Sequence, residues 1–194
     1  SHNLGEVAQA IYDYIAGKEP MLPGPDFPTG GEIINKDDIP AIMRTGRGSV
    51  KIRGRYKVED NKIIFYEIPY GTITETILQE IAKLCELKEI NGIEEIQDQS
   101  NKKGLRIVIE CEKGASILTV VNKLFEKTSL QTSFSYNQVG LVDKVPTELN
   151  LKDCCKIYVD HNIECLKRET TWDLNKATER NHIIEGLLVA LEDI

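Results

Sequence analysis

Long apolar runs are missing from this 194-residue sequence. Nothing approaches the roughly 18 uninterrupted apolar residues that a membrane-spanning helix needs. The start shows no basic segment running into an apolar one, so a soluble chain without a secretion signal is expected. Aromatic residues are scarce, at 6% with a single Trp, and low-complexity tracts are absent. The five cysteines are odd in number and scattered apart from the adjacent Cys154 and Cys155, which excludes both a disulfide framework and a paired zinc-knuckle pattern. A reducing cytoplasm fits that usage. No Gly-rich phosphate loop of the nucleotide-binding type and no Ser/His/Asp set can be found. His161 and Cys165 are spaced for one helix face, but no second pair accompanies them, so packing explains them better than metal binding. Asp98, with Gln99, Ser100 and Asn101, reads as turn chemistry.

What is present is a chain long enough for a real core, with its charge unevenly placed. The formal net charge is -7, which argues against a surface that embraces nucleic acid everywhere. Any polyanion site must be local. Between Arg44 and Lys57 stand six basic residues (Arg44, Arg47, Lys51, Arg53, Arg55, Lys57) and no acidic one, while acids gather elsewhere, as at Glu94, Glu95 and Asp98.

The periodicities give the order of elements. Leu4, Val7, Ala8, Ile11 and Ile15 mark one face of a helix over 4–16, stopped by Gly17. From Lys18 to Asn35 four prolines and, counting Gly17 just before, four glycines predict a shaped loop without repeating structure. Asp37 or Asp38 is a candidate cap for a short helix through Met43, with Pro40 in its first turn. Val50 to Val58 alternate strictly, which predicts one strand with Lys51, Arg53, Arg55 and Lys57 on a basic face. Asp60-Asn61 turns the chain into a second strand, 62–68. Thr72 and Glu75 have capping-box spacing ahead of a helix to about Lys88. Strands over 93–97 and 105–111, a helix over 115–127 and a last strand over 132–142 follow.

The resulting order, β-β-α-β-β-α-β, predicts an α+β body: a two-layer mixed or antiparallel sheet with helices on one face. After Pro146 the character changes, and Leu151, Cys155, Tyr158, Asn162, Cys165 and Leu166, then Ile184, Leu188 and Leu191, carry the spacing of long helices. The end, Leu191-Glu192-Asp193-Ile194, reads as the middle of a helix.

Six segments occur in a telling order: 24–31 (GPDFPTGG), 44–48 (RTGRG), 67–70 (EIPY), 104–110 (GLRIVIE), 130–134 (LQTSF) and 182–187 (HIIEGL), with the opening His2-Asn3-Leu4-Gly5-Glu6. Together they resemble the A subunit of bacterial DNA gyrase and topoisomerase IV, over essentially the whole chain. The resemblance implies residues 1–35 as a helix and loop from the DNA-gate side, 36–147 as an α+β tower domain and 148–194 as the start of a coiled coil. It implies a part of an ATP-dependent type IIA topoisomerase that binds double-stranded DNA, pairs with itself as a dimer and works with a B subunit that holds ATP and Mg2+. No cofactor is expected in this segment itself. The family's cutting tyrosine lies in a winged-helix domain upstream, and Tyr12, Tyr14, Tyr56, Tyr66, Tyr70, Tyr136 and Tyr158 match other family positions. No catalytic residue is therefore expected here.

The same resemblance implies DNA contact at Thr29, Ile33, Arg44, Arg47, Lys51 and Arg53. Ile33 matches an isoleucine that pushes between base pairs, and an apolar wedge on a stiff loop suits that task. The plainer alternative is that Ile33 tucks under the loop as core. Arg44 and Arg47 beside glycines suit phosphate contact, with Lys51 and Arg53 continuing the stripe; the plainer alternative is a solvated face paired with acids. Departures from the family pattern are Gln99 where Glu is common, Asn162 and Glu169 where Arg is common, and Glu32 beside the wedge. A free-standing α+β module for nucleic acid or a ligand, dimerised by its terminal helices, is the competing reading.

Overall fold

The computed structural model describes residues 1–102 and 104–192, so the last two residues of the expected helical end, Asp193 and Ile194, lie outside the described residues. Helix α1 (Leu4–Ile15) starts at Asn3, whose Oδ1 accepts the Gly5 and Glu6 amides at 2.8 and 3.4 Å. That cap satisfies two amides that the helix itself cannot. The Pro/Gly loop follows. Within it the two residues of β1 (Glu32–Ile33) form a short strand, which the loop composition did not announce.

A 3-10 turn, Lys36–Asp38, leads into α2 (Ile39–Thr45). The expected aspartate cap does not form: the Asp38 carboxylate instead accepts the Asn35 side-chain amide at 2.9 Å. The helix ends at Gly46, which is left-handed and buried.

The single strand expected over 50–58 is two strands in two sheets. β2 (Arg47–Arg53) and β3 (Arg55–Glu59) part at Gly54, whose amide turns away to the Leu130 carbonyl at 2.8 Å. A Cβ on Gly54 would stand 2.8 Å from the Glu67 carbonyl oxygen, so a side chain is excluded where the two sheets meet. β4 (Lys62–Glu67) returns antiparallel to β3 through Asp60, held at φ 51.

Helix α3 (Thr74–Glu86) begins without the predicted capping box. Its N-cap is Ile73, and the Thr72 hydroxyl donates to the Pro69 carbonyl at 2.6 Å, closing a turn. β5 (Ile93–Asp98), β6 (Ile107–Cys111) and α4 (Ile117–Lys127), capped by Ser116, follow. The last expected strand divides into β7 (Gln131–Asn137) and β8 (Val139–Val142), and β8 pairs with an unforeseen β9 (Val145–Glu148) across a tight turn at Asp143 and Lys144, both at positive φ.

The architecture is α+β, and every pairing between named strands is antiparallel. A three-stranded sheet has the order β1-β2-β7, a four-stranded sheet the order β3-β4-β6-β5, and β8 and β9 make a two-stranded ribbon. Each of the two larger sheets builds its own core. Ile63, Phe65, Ile107 and Ile109 line one face of the four-stranded sheet and meet Ile77 and Ile81 of α3 and Val121, Leu124 and Phe125 of α4. Val50 and Ile52 of β2 pack with Ala10 of α1, Ile39 and Ile42 of α2, and Leu151 and Cys155 of α5 (Leu151–Glu192). Each fully buried Ile or Leu contributes about 2 kcal/mol by leaving water. The long helices expected after Pro146 are one continuous helix of 42 residues. At 1.5 Å per residue it is about 63 Å long. Its first turns anchor in the second core, and residues 166–191 are all exposed. Among the described residues no helix is long and apolar enough to cross a membrane.

Candidate nucleic-acid interface

The Pro/Gly arm is fixed at both ends of its tip. Gly30 N–H donates to the Phe27 carbonyl at 3.0 Å, and Gly31 N–H donates to the Glu67 carboxylate at 2.7 Å. β1 then pairs with β2, placing Glu32 opposite Arg53 and Ile33 opposite Ile52. Asn35 prolongs the pairing with its side chain: Oδ1 accepts the Lys51 amide at 2.8 Å, and Nδ2 donates to the Ser49 carbonyl at 2.9 Å. Side-chain amides in that role mimic a further strand residue. The arm is thus an edge strand of the three-stranded sheet.

Strand alternation on β2 sorts the candidate residues. Val50 and Ile52 face the core at 0% exposure, so Arg47, Ser49, Lys51 and Arg53 share the outward face. Across the register stand Asn137, Ser135, Ser133 and Gln131 of β7. Over these two strands the outward face carries three cations, short hydroxyl and amide side chains, and no carboxylate. Small donors between cations let a phosphate backbone approach closely, and such contacts position a duplex without reading its sequence. Ser133, Ser135 and Asn137 were not foreseen as part of the site; polar residues at every second position of 131–137 were their only signal.

The cations differ in how free they are. Lys51 is exposed. Arg47 is exposed but forms an ion pair with Glu148 of β9. Arg53 is half-buried and committed within the fold, donating through Nε and Nη2 to Gln131 Oε1 at 2.9 and 2.6 Å. Arg44 is exposed in the last turn of α2 and borders a depression with Glu19, Asn150 and Lys152. The basic stripe expected to run through Arg55 and Lys57 breaks at Gly54. Both lie on β3, in the other sheet, where Arg55 meets Glu67 at 3.6 Å and Lys57 meets Glu59 at 2.6 Å.

Thr29 is exposed in the turn just before Gly30. Ile33 is half-buried against the second core, in line with Ile52, and a Cβ on Gly24 would stand 3.1 Å from its Cδ1. It therefore points to the face opposite Arg53 and Lys51. Ile33 and the cations thus lie on opposite faces of the three-stranded sheet. Glu32 leans to Lys36, with Nζ 3.4 Å from its carboxylate.

Two of the tyrosines, Tyr56 and Tyr136, are packed into the cores. Tyr56 does follow an arginine, Arg55, yet its ring lies in the first core, 5.6 and 5.8 Å from the Phe65 and Phe125 centroids. Burial pushes the Tyr136 hydroxyl above its ordinary value. His161 Nε2 lies 3.5 Å from Cys165 Sγ, and the third neighbour is the Arg168 guanidinium, a cation where a third ligand would stand. Asp98 Oδ1 accepts the Ser100 amide at 2.9 Å, which is the turn chemistry expected of it.

A family model for the A subunit of DNA gyrase and topoisomerase IV matches residues 1–194. The DNA gyrase A subunit of Ureaplasma parvum is 44% identical over 205 residues, covering 100% of this chain and 24% of that protein. The DNA gyrase A subunit of Halalkalibacterium halodurans is 40% identical and is likewise covered to 24% of its length. A chloroplastic/mitochondrial DNA gyrase A subunit of Nicotiana benthamiana is 40% identical, with 22% of its length covered. The chain thus spans about a quarter of the length of the curated relatives it matches.

Proposed function

The chain belongs to the family of DNA gyrase and topoisomerase IV A subunits, and on that premise we propose that it is the segment of a DNA breakage-reunion subunit that grips and bends the gate duplex. In this reading residues 1–35 approach from the DNA gate, 36–147 form the tower and 148–194 open the coiled coil. The segment cuts nothing. It holds DNA while a tyrosine elsewhere in the same polypeptide breaks the strands. A second A subunit, and the B subunit as the partner that supplies ATP hydrolysis and Mg2+, complete an isomerase working in the cytoplasm. The exposed apolar residues along α5, including Leu166, Leu174, Leu187 and Leu188, favour a partner helix there, since a helix this long is seldom left solvated all round.

The observation that carries the reading is the outward face of β2 and β7, which has no acid of its own and is bordered by Glu32 of β1 beside Arg53, continuous with an arm whose Ile33 sits on the far side of an edge strand. Phosphates would lie over Arg47, Lys51, Ser133 and Ser135, with Thr29 and Arg44 at the margins. Ile33 would leave its half-buried seat to enter the base stack at the bend. Unstacking costs a few kcal/mol per step, which added phosphate contacts on a curved duplex offset. Ile33→Ala in the full-length A subunit, in complex with its B subunit, tests this. Energy transfer between the labelled ends of a short duplex should report a reduced bend with little change in affinity, and unchanged bending overturns the reading.

A further inference from the structure

The tip of the arm is held by a residue from the other sheet. Glu67, the last residue of β4, sends Oε2 to the Gly31 amide at 2.7 Å. Its side chain is largely covered, at 28% exposure, and the nearest cation is Arg55, 3.6 Å away. The approach is close: a Cβ on Gly30, where φ 73 already strains any side chain, would stand 2.5 Å from that same oxygen and push the carboxylate aside. This bond falls between Thr29 and Ile33, and it links the arm to the four-stranded sheet rather than to the sheet that β1 joins. The tip is also tied by the Gly30–Phe27 bond, by Phe27 against Tyr70 and Phe134, by the two residue pairs of β1 and by the contacts of Ile34 and Asn35 beyond them; the bond to Glu67 is the tie that reaches β4.

We propose that Glu67 is a positioning residue for DNA bending: its carboxylate, by accepting the Gly31 amide, fixes the attitude in which Thr29 and Ile33 meet the duplex and transmits the bending load into the tower sheet. The inference rests on the DNA-bending reading above. A carboxylate accepting a backbone amide is roughly twice as strong as a neutral pair, and this one is partly buried. Glu67 touches no DNA in this account. It acts through the backbone of residues 30 and 31.

The test uses the full-length A subunit in complex with its B subunit, with bending and affinity measured separately on one end-labelled duplex. Glu67→Ala is expected to lower the bent-to-straight ratio of bound DNA about tenfold, the size of one charge-assisted hydrogen bond, with affinity within about twofold. Glu67→Gln keeps an oxygen for the Gly31 amide and should restore most of the bend. Arg55→Ala removes the ion pair alone and should leave the bend as it was. Gly30→Ala crowds the carboxylate from the arm side while leaving Glu67 in place, and should reproduce the loss even if Glu67→Ala does not fold. Loss of bending in Arg55→Ala, or no rescue by Gln, would assign Glu67 a merely structural pairing and overturn the proposal. If Ile33→Ala abolishes bending while Glu67→Ala and Gly30→Ala do not, the proposal fails and the DNA-bending reading stands. If none of the three alters the bend, both fall.

Discussion

The Arg53 guanidinium lies over the Phe125 ring, with Cζ 4.4 Å from the ring centroid. Arg53 ends the central strand of one sheet and Phe125 belongs to the core of the other, so this contact staples the halves together just before Gly54, while the two hydrogen bonds to Gln131, its partner on β7, hold the guanidinium in place. A planar guanidinium can stack and donate a fork at once, which an ammonium cannot. Arg53→Lys should therefore cost about 1–2 kcal/mol and Arg53→Ala about 2–3 kcal/mol in denaturant unfolding, from a partly desolvated cation–π contact plus charged hydrogen bonds. If Arg53 served mainly as a phosphate ligand, Lys would be equivalent in stability and only DNA affinity would fall.

Arg47 is the cation whose availability can be tuned. Its ion pair with Glu148 is exposed on both sides and contributes less than about 1 kcal/mol, so phosphate can displace it readily. Glu148→Gln should release Arg47 and tighten binding of a mixed-sequence duplex about twofold to fivefold at low salt. Arg47→Ala should weaken binding alike on all sequences and reduce the slope of log affinity against log salt by about 1. A loss confined to particular sequences would mean that Arg47 reads bases.

Much of this fold could be read from pattern, because helix faces and hairpin turns are local. What escaped were contacts made by residues far apart in the chain. The alternation through Val50–Val58 keeps its phase across Gly54, so nothing but one glycine hints that the strand leaves one sheet for another; the cause is the Leu130 carbonyl, brought in by β7. Thr72 and Glu75 satisfy the capping-box spacing, but the Thr72 hydroxyl finds the Pro69 carbonyl first. The site was legible as a basic stretch beside a stiff loop. Its sorting into free Lys51, paired Arg47 and committed Arg53 depended on Glu148, Gln131 and Phe125, which no spacing rule connects to them.

Two glycine substitutions should act with opposite sign. At Gly54 an added methyl meets the Glu67 carbonyl at 2.8 Å, a backbone atom locked in β4, so Gly54→Ala should destabilise by about 1–3 kcal/mol through overpacking. At Gly186, inside the exposed part of α5, an added methyl meets nothing, and Gly186→Ala should stabilise the helix by up to about 1 kcal/mol. Far-ultraviolet dichroism against temperature separates the two. Destabilisation by Gly186→Ala would show that α5 needs a small residue there for a close neighbour.

The thiols supply a last measurement, one that carries a pH sign. Burial raises Cys111 and Cys155 above the ordinary thiol value of 9.0, and the neighbouring Cys154 adds to the effect at Cys155. Thiolate is the reactive form, so both should stay unlabelled by an aromatic disulfide reagent at pH 7 to 8 in the native protein, while Cys165, on the projecting part of α5, labels first. In the unfolded chain the buried pair would ionise near pH 9, below where they do when folded. Their contribution to stability is therefore whole below about pH 9 and is lost as pH climbs through the raised folded values. The unfolding midpoint should fall on the alkaline side, and less steeply in Cys111→Ser, each compared with its own midpoint at pH 7. Rapid labelling of Cys111 in the native protein at pH 7 would instead mean that the four-stranded sheet opens locally at β6, exposing the core that supports Glu67 and the arm.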